Sequence, residues 1–334
     1  MLLTRAGEVT FSRPYWHCDC CGRGYFSDAF GDRLPSSQAS WAVKSAVGRL
    51  SAKMSFAEAV SEWTYITGHP VSARSAEYWV EEIGRCYQMP ELSPHDPGPR
   101  VDVVFVQADA VQVGFRDGWH EEKVMASWGR VEEKDQPIHY AAGEGQWQYQ
   151  TKALATLTRR AGSRLAREIV CIADGAPGIW QEFSRIFPGA RQILDWYHLQ
   201  EHIGQVAALL PDGSAWHDRQ KAALVERGPS ETFAELAKLT RAGQTAEIRL
   251  IAWQCFKYMF RNRRRLDYPE ARRLGYPIGS GRIESACKQV VAMRCKGTGM
   301  RWNHPHAQAV LKARCALLNG DWELAMEQTI RKAA

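Results

Sequence analysis

No apolar run in the sequence approaches the ~20 residues that span a bilayer, so a membrane-crossing helix is not expected. The opening residues Met-Leu-Leu-Thr-Arg lead into polar sequence and supply no apolar core for a signal peptide. Cysteine numbers only nine, an odd count scattered outside one cluster, which does not suit a secreted disulfide framework. These absences together point to a reducing cytoplasm. There is also no internal repeat and no low-complexity tract, so neither a solenoid nor a biased disordered chain is expected.

What is present describes a folded protein. The 334 residues are 45% hydrophobic and 24% charged, sufficient for packed cores in two or three units. The net charge of +6 says little by itself, but it is concentrated. Between Cys255 and Pro305 twelve Lys and Arg stand against three acids, leaving the remainder slightly acidic. Such density is the footprint expected where phosphates are gripped. Trp253, Phe256, Tyr258 and Phe260 precede Arg261, Arg263, Arg264 and Arg265, so a helix with one buried and one charged face is expected there. A merely solvated helix face has the same composition.

Residues 1–35 contain a cysteine knuckle and no clear periodicity. Residues 36–98 read as helical: Phe56, Ala59, Val60, Trp63 and Ile66 fall at helical spacing, and Gly68 ends that helix. After the turn His69-Pro70-Val71, Ser72 is placed to cap a second helix through Ile83. Helix, short turn and capped helix outline a helix-turn-helix DNA reader, although a plain helical hairpin looks alike. Pro94, Pro97, Gly98 and Pro99 form a breaker-rich linker, after which the period changes. From Val101 the pattern is strand-like, Asp117-Gly118 signals a hairpin, and Lys123–Val131 returns. Short strands are expected near 138–142, 167–173 and 190–196, with helices over 146–161 and 178–187. This is a mixed α/β sheet over 99–205, followed by a helical stretch over 206–270 and a closing helical part over 271–334.

Three acids stand out. Asp109 lies in a strand whose neighbours Val103, Val104, Phe105 and Val106 suit burial, where an ionised carboxylate needs a cation or donors. Asp174 follows an apolar strand and precedes Gly175-Ala176-Pro177-Gly178, the kind of strand end where α/β sheets place ligands. If the two strands are parallel neighbours, both carboxylates share one edge, and a divalent cation resolves their repulsion. Glu284 enters from far along the chain, in the first turn of a helix behind Gly279-Ser280-Gly281. Singly, each has a bland explanation: two turn formers and one residue complementing a helix dipole. Jointly they form a hard, oxygen-only ligand set suited to Mg²⁺ or Mn²⁺, and to two such ions roughly 3.5–4 Å apart driving phosphoryl transfer.

The strings ADGAPGIW (173–180), FPGARQILDWYHLQEHI (187–203), PIGSGRIESACK (277–288) and GMRW (299–302) closely resemble those of ISKra-type insertion-sequence transposases, a bacterial group of DD-E enzymes. The similarity runs in order over nearly the whole chain. It implies an RNase H-like catalytic core with Asp109, Asp174 and Glu284 as first, second and third acids, and a helical insertion between the second and third. The Asp195-Trp196-Tyr197-His198 string resembles the element that follows the second acid in related groups, which implies that Asp195 and His198 orient that acid or meet phosphate. His198 and His202 also have the spacing of a helical zinc pair, but no third ligand accompanies them. Lys288 lies one turn after Glu284, and Arg294, Lys296, Arg301 and Trp302 follow; the expectation is that they contact DNA, with Trp302 stacking on an exposed base.

Near the N-terminus, Cys18-x-x-Cys21 supplies two zinc ligands where a closed site takes four, with Cys20 and His17 as awkward additions. Transposases of this kind tend to carry another cysteine pair upstream, and none precedes Cys18 here, as in an N-terminally shortened product. The function expected is cleavage of element ends and transfer of 3′-hydroxyls to target DNA, by at least a dimer that joins two ends. The alternatives are an RNase H-like nuclease without strand transfer, a DNA-binding regulator built on the helix-turn-helix, and an inactive transposase relic.

Overall fold

Local signals build the first half of the chain, in a computed structural model that describes residues 2–10, 12, 14–26, 39–241 and 243–333. Two small antiparallel hairpins come first: β1 (Leu2–Thr4) with β2 (Gly7–Val9), and β3 (Tyr15–His17) with β4 (Gly24–Phe26). The cysteine knuckle is the turn of the second. No zinc ribbon is formed by the described residues, and the part of the expected 1–35 segment from residue 27 onward lies outside them. Three helices follow, α1 (Trp41–Ser51), α2 (Phe56–Thr67) and α3 (Ala73–Cys86). Their bounds follow from capping. Ser55 and Glu58 form a reciprocal capping box, Gly68 closes α2 in the left-handed region at φ 73°, and the Ser72 side chain accepts from Ser75 N.

After the proline linker, β5 (Val103–Phe115) and β6 (Gly118–Val131) form a long antiparallel hairpin turned at Arg116-Asp117. Short β7 (Lys134–Asp135) and β8 (His139–Glu144) pair with β6. Then come α4 (Thr151–Arg160), β9 (Glu168–Ala173), α5 (Pro177–Ile186), β10 (Arg191–Leu194) and α6 (Trp196–Ala207). The six strands make one mixed sheet ordered β10-β9-β5-β6-β7, with β8 also on β6. β5, β9 and β10 run parallel, as crossovers through helices require.

The stretch between the sheet and Glu284 is helical: α7 (Gly213–Glu226), α8 (Ser230–Leu239), α9 (Ala246–Arg261) and α10 (Tyr268–Arg273). The expected burial of the aromatic face of α9 is corrected here. Ile248, Ala252, Cys255 and Met259 make its buried stripe, whereas Trp253 and Phe260 are about half exposed. The aromatic run falls one position off the helical period that faces the core.

The last part begins with α11 (Gly281–Ala286), which passes into a π-helical turn at Cys287–Ala292 and ends as α12 (Met293–Cys295). α13 (His304–Leu318) and α14 (Trp322–Ala333) complete the chain. One core joins β5, β9 and β10 to α4–α10 through Phe105, Leu154, Ile172, Phe183 and Leu199. Another joins Val113 and Val124 of the hairpin to Ile283, Val290, Val310 and Trp322, and takes in Val80 and Ile83 of α3. Each such fully buried side chain contributes roughly 1.5–3 kcal/mol. α3 and α13 touch backbone to backbone: a Cβ on Gly84 would stand 1.8 Å from the Ala309 carbonyl oxygen. Among the described residues no helix is long and apolar enough to cross a membrane.

Candidate functional site

The parallel registers decide where the acids meet. β5 pairs β9 with Gln107 opposite Ile172, and β9 pairs β10 with Ala173 opposite Leu194. Continued by two residues and by one, these registers set Asp109, Asp174 and Asp195 at one level across three adjacent strands. β9 and β10 stop just short of that level because each acid turns its own chain. The Asp174 carboxylate accepts from Ala176 N at 3.0 Å, and Pro177 then starts α5. Asp195 caps α6, accepting from His198 N at 2.9 Å.

Asp195 is wholly buried and fully engaged. One oxygen accepts from both His198 N and His198 Nδ1, the latter at 2.5 Å, and the other accepts from Ser280 N at 2.6 Å. Burial alone would raise its pKa, but these bonds and the His198 charge hold it below the usual carboxylate range. In turn, His198 is pushed up to about 9 by its bond to Asp195, against desolvation, with the Asp195, Asp174 and Glu201 charges adding. Near neutral pH this is an imidazolium–carboxylate pair beside Asp174.

Asp109 stands differently. Its carboxylate accepts one bond, from Ala110 N at 2.7 Å. Burial raises its pKa, the bond from Ala110 opposes that, and the Asp174 and Asp195 charges raise it further. A half-buried acid crowded by two others is short of positive charge, and that deficit is what a divalent cation supplies.

Glu284 is delivered by the loop before α11. Gln107, two residues before Asp109 and wholly buried, donates through Nε2 to Gly279 O at 3.0 Å and accepts from Ile283 N at 2.9 Å. Trp196 N donates to Ile278 O at 2.9 Å, and Ser280 N to Asp195. The loop is thus pinned to the interior of β5, at its last pair with β9, and to the end of β10. Glu284 itself is exposed and accepts from Ser280 Oγ at 2.5 Å. Burial, with the Asp109 and Glu284 charges adding, pushes the Cys287 thiol up to about 12.

The acidic trio is not a tight ligand set. Among the described residues, three groups have their candidate ligand atoms all within 4.8 Å of one another: Cys18-Cys20-Cys21, Asp117-His120-His304 and Glu77-Glu81-His306. Asp109, Asp174 and Glu284 do not reach that spacing. The chain therefore carries acidic, histidine and thiol groups able to hold metal in more than one place. At the knuckle, Cys18 N donates to Arg23 O and Gly22 N to Cys18 O, with Gly22 at φ 66°, and Cys18 Sγ lies 3.1 Å from Cys20 Sγ. Cys20 thus joins the expected pair Cys18 and Cys21. Its hydrogen bond lowers the Cys18 thiol to about 7, which favours thiolate ligation.

Two expected DNA contacts are corrected. Arg294 is 1% exposed; its Nε donates to Ser51 O at 2.7 Å and its guanidinium lies over Phe56 and Trp302. Trp302 is 8% exposed, and its Nε1 donates to Cys295 O at 3.1 Å, so no base can stack on it. Both are core. Arg265 is also internal in role, bonded to Gln192 and Asn262 and stacked over Trp180. Arg261, Arg263, Arg264, Lys288, Lys296 and Arg301 remain exposed.

Sequence reasoning missed Gln107, Ser280 and Tyr258. The Tyr258 ring lies 4.0 Å from that of His202 and fills the space beside Gly175, where a Cβ would come within 2.2 Å of it. Burial raises its hydroxyl pKa, and the Asp174 and Asp195 charges raise it further. The helical stretch between the sheet and Glu284 therefore closes one side of the acidic centre through α9. The local signal was only that Gly follows Asp174. No family model matches the chain, and no curated protein matches it.

Proposed function

We propose that this chain is a DD-E transposase of the ISKra type its strings resemble, built on an RNase H-like core. It would cleave the ends of its element and join the 3′-hydroxyls to target DNA. The observation that carries the proposal is the register that levels Asp109 with Asp174 while Gln107 and Asp195 tether the Glu284 helix close to that level.

Asp109, Asp174 and Glu284 are the residues that would hold Mg²⁺ or Mn²⁺. Such ions, when bound, stabilise the attacking and leaving oxygens of an in-line displacement. The protein's own part is positional. Asp195 has no free oxygen for a ligand and instead fixes the Ser280 loop and the charged form of His198. His198 places a positive charge beside Asp174, suited to a scissile phosphate. The exposed cations of the basic segment grip flanking phosphates, and two copies bring two ends together. The exposed start of α3, with Arg74 and Tyr78, is the part of the helix-turn-helix free to reach a groove.

The test uses a duplex carrying the terminal repeats read from the DNA flanking the gene. Asp109→Asn, Asp174→Asn and Glu284→Gln should each reduce Mg²⁺-dependent cleavage by roughly a thousandfold or more while DNA affinity stays within about twofold. Wild-type cleavage by any one variant removes that residue from the metal site. Cleavage without strand joining by the unmodified protein would favour the nuclease reading instead.

A further inference from the structure

At the far end of the β5–β6 hairpin, a second group of ligands lies apart from the acidic centre. Asp117 sits in the two-residue turn, His120 follows on β6, and His304 is the first residue of α13. His304 Nε2 is 3.1 Å from Asp117 Oδ2, and His120 Nε2 is 3.2 Å from Asp117 Oδ1. All three ligand atoms lie within 4.8 Å of one another. A tetrahedral ion with bonds of about 2.0–2.1 Å has ligand-to-ligand edges of roughly 3.3 Å, so the contacts to Asp117 already have the span of a metal site.

The surroundings fit as well. His304 turns its other nitrogen, Nδ1, to Glu144 Oε2 at 2.7 Å. This carboxylate–histidine arrangement fixes the tautomer with a lone pair on Nε2 and raises its basicity toward a metal. Phe115 stacks on the His304 ring at 4.2 Å and meets His120 edge-on at 5.5 Å, which holds both imidazoles in place. Nearby Glu122 is wholly buried with Oε2 unpartnered, and it responds to Glu144 and His304. A cavity of about 940 Å³ lined by Trp119, Trp147, Tyr149, His120, Glu144 and His304 opens beside the group and gives access to a fourth coordination position.

We propose that Asp117, His120 and His304 bind a zinc-like divalent ion, with Glu144 orienting His304. Two imidazoles and one carboxylate suit zinc and its borderline neighbours over Mg²⁺. The ion would clasp the hairpin tip to the start of α13, leaving one position open toward the cavity. The competing occupant is a proton on His304, bridging Asp117 and Glu144 as an ion pair without metal.

Zinc titration of the full chain, freed of metal by chelator, tests this in the absence of DNA and magnesium. A Cys18→Ser/Cys20→Ser/Cys21→Ser background removes the thiol knuckle, and one equivalent of zinc should still bind. His120→Asn should weaken that binding about a hundredfold, and Glu144→Gln by roughly 10–100-fold. Cobalt(II) in the same cysteine-free background provides a second measure: a tetrahedral visible spectrum without thiolate charge-transfer bands should appear and be lost in His304→Ala. Zero equivalents in the cysteine-free background, or zinc affinity unmoved by His120→Asn, overturns the proposal in favour of the protonated ion pair. Six residues of strand, roughly 20 Å, separate Asp109 from Phe115, so Asp109→Asn should leave zinc binding intact. The outcome therefore stands apart from that of the cleavage assay.

Discussion

Asp195 and His198 show how one side chain can set the charge of a site without touching what the site acts on. The carboxylate accepts three hydrogen bonds with two oxygens, and an amide in its place has only one oxygen to offer. Asp195→Asn should therefore return the His198 midpoint from about 9 toward the ordinary histidine value near 6.5, read by NMR of the ring protons. The sign follows from linkage. The folded value is raised, so the stabilisation from this pair is complete below the unfolded pKa and is lost as pH rises through about 9. In the variant that slope should flatten. An unmoved His198 midpoint would mean that Asp195 does not hold the charge.

At the scale of elements, what was legible was what is local. Ser55, Gly68 and Ser72 marked the ends of α2 and α3 because capping is an interaction within four residues. Asp117-Gly118 marked the hairpin for the same reason. Asp109 and Asp174 could be levelled in advance only on the condition that their strands lie parallel and adjacent, which is how β5 and β9 pair. Gln107 could not be found, since both its bonds cross more than 170 residues. Arg294 and Trp302 looked like a basic and an aromatic surface, but whether a side chain faces inward depends on α2 and the end of α1 at Ser51, which no local pattern reveals. Nor does composition announce the π turn after Glu284, a widening often found where helices carry function. A glycine supplies the sharpest test at this scale. Gly84→Ala would set a methyl group against the Ala309 backbone, which cannot yield as a side-chain tip can, and should cost about 1–3 kcal/mol in thermal or denaturant unfolding. Melting indistinguishable from the parent would show that α3 and α13 can separate slightly at no cost.

For the whole molecule, burial limits how many cations the proposed DNA contact can use. Eight cations were expected to face phosphate, which would give a slope of log K on log salt of about −7. With Arg265 and Arg294 turned inward, Arg261, Arg263, Arg264, Lys288, Lys296 and Arg301 remain, and the slope expected is no steeper than about −5. Fluorescence anisotropy over a salt series measures it. A response near zero would remove the basic segment from the DNA interface, and a slope near −7 would require cations elsewhere on the surface.

The joint between α3 and the last two helices bears on synthesis. Tyr87 at the end of α3 donates to Asp321 at 2.6 Å, and Arg160 holds that same carboxylate with two bonds at 2.6 and 2.9 Å. Arg314 reaches back to Ala52 O at 2.6 Å. While the ribosome is still making the middle of the chain, the helices that resemble a DNA reader lack the partners that seat them. A nascent chain halted before residue 304 would leave the Gly84 face of α3 without the Ala309 backbone it packs on, so the finished arrangement of those helices waits until translation has passed Glu284.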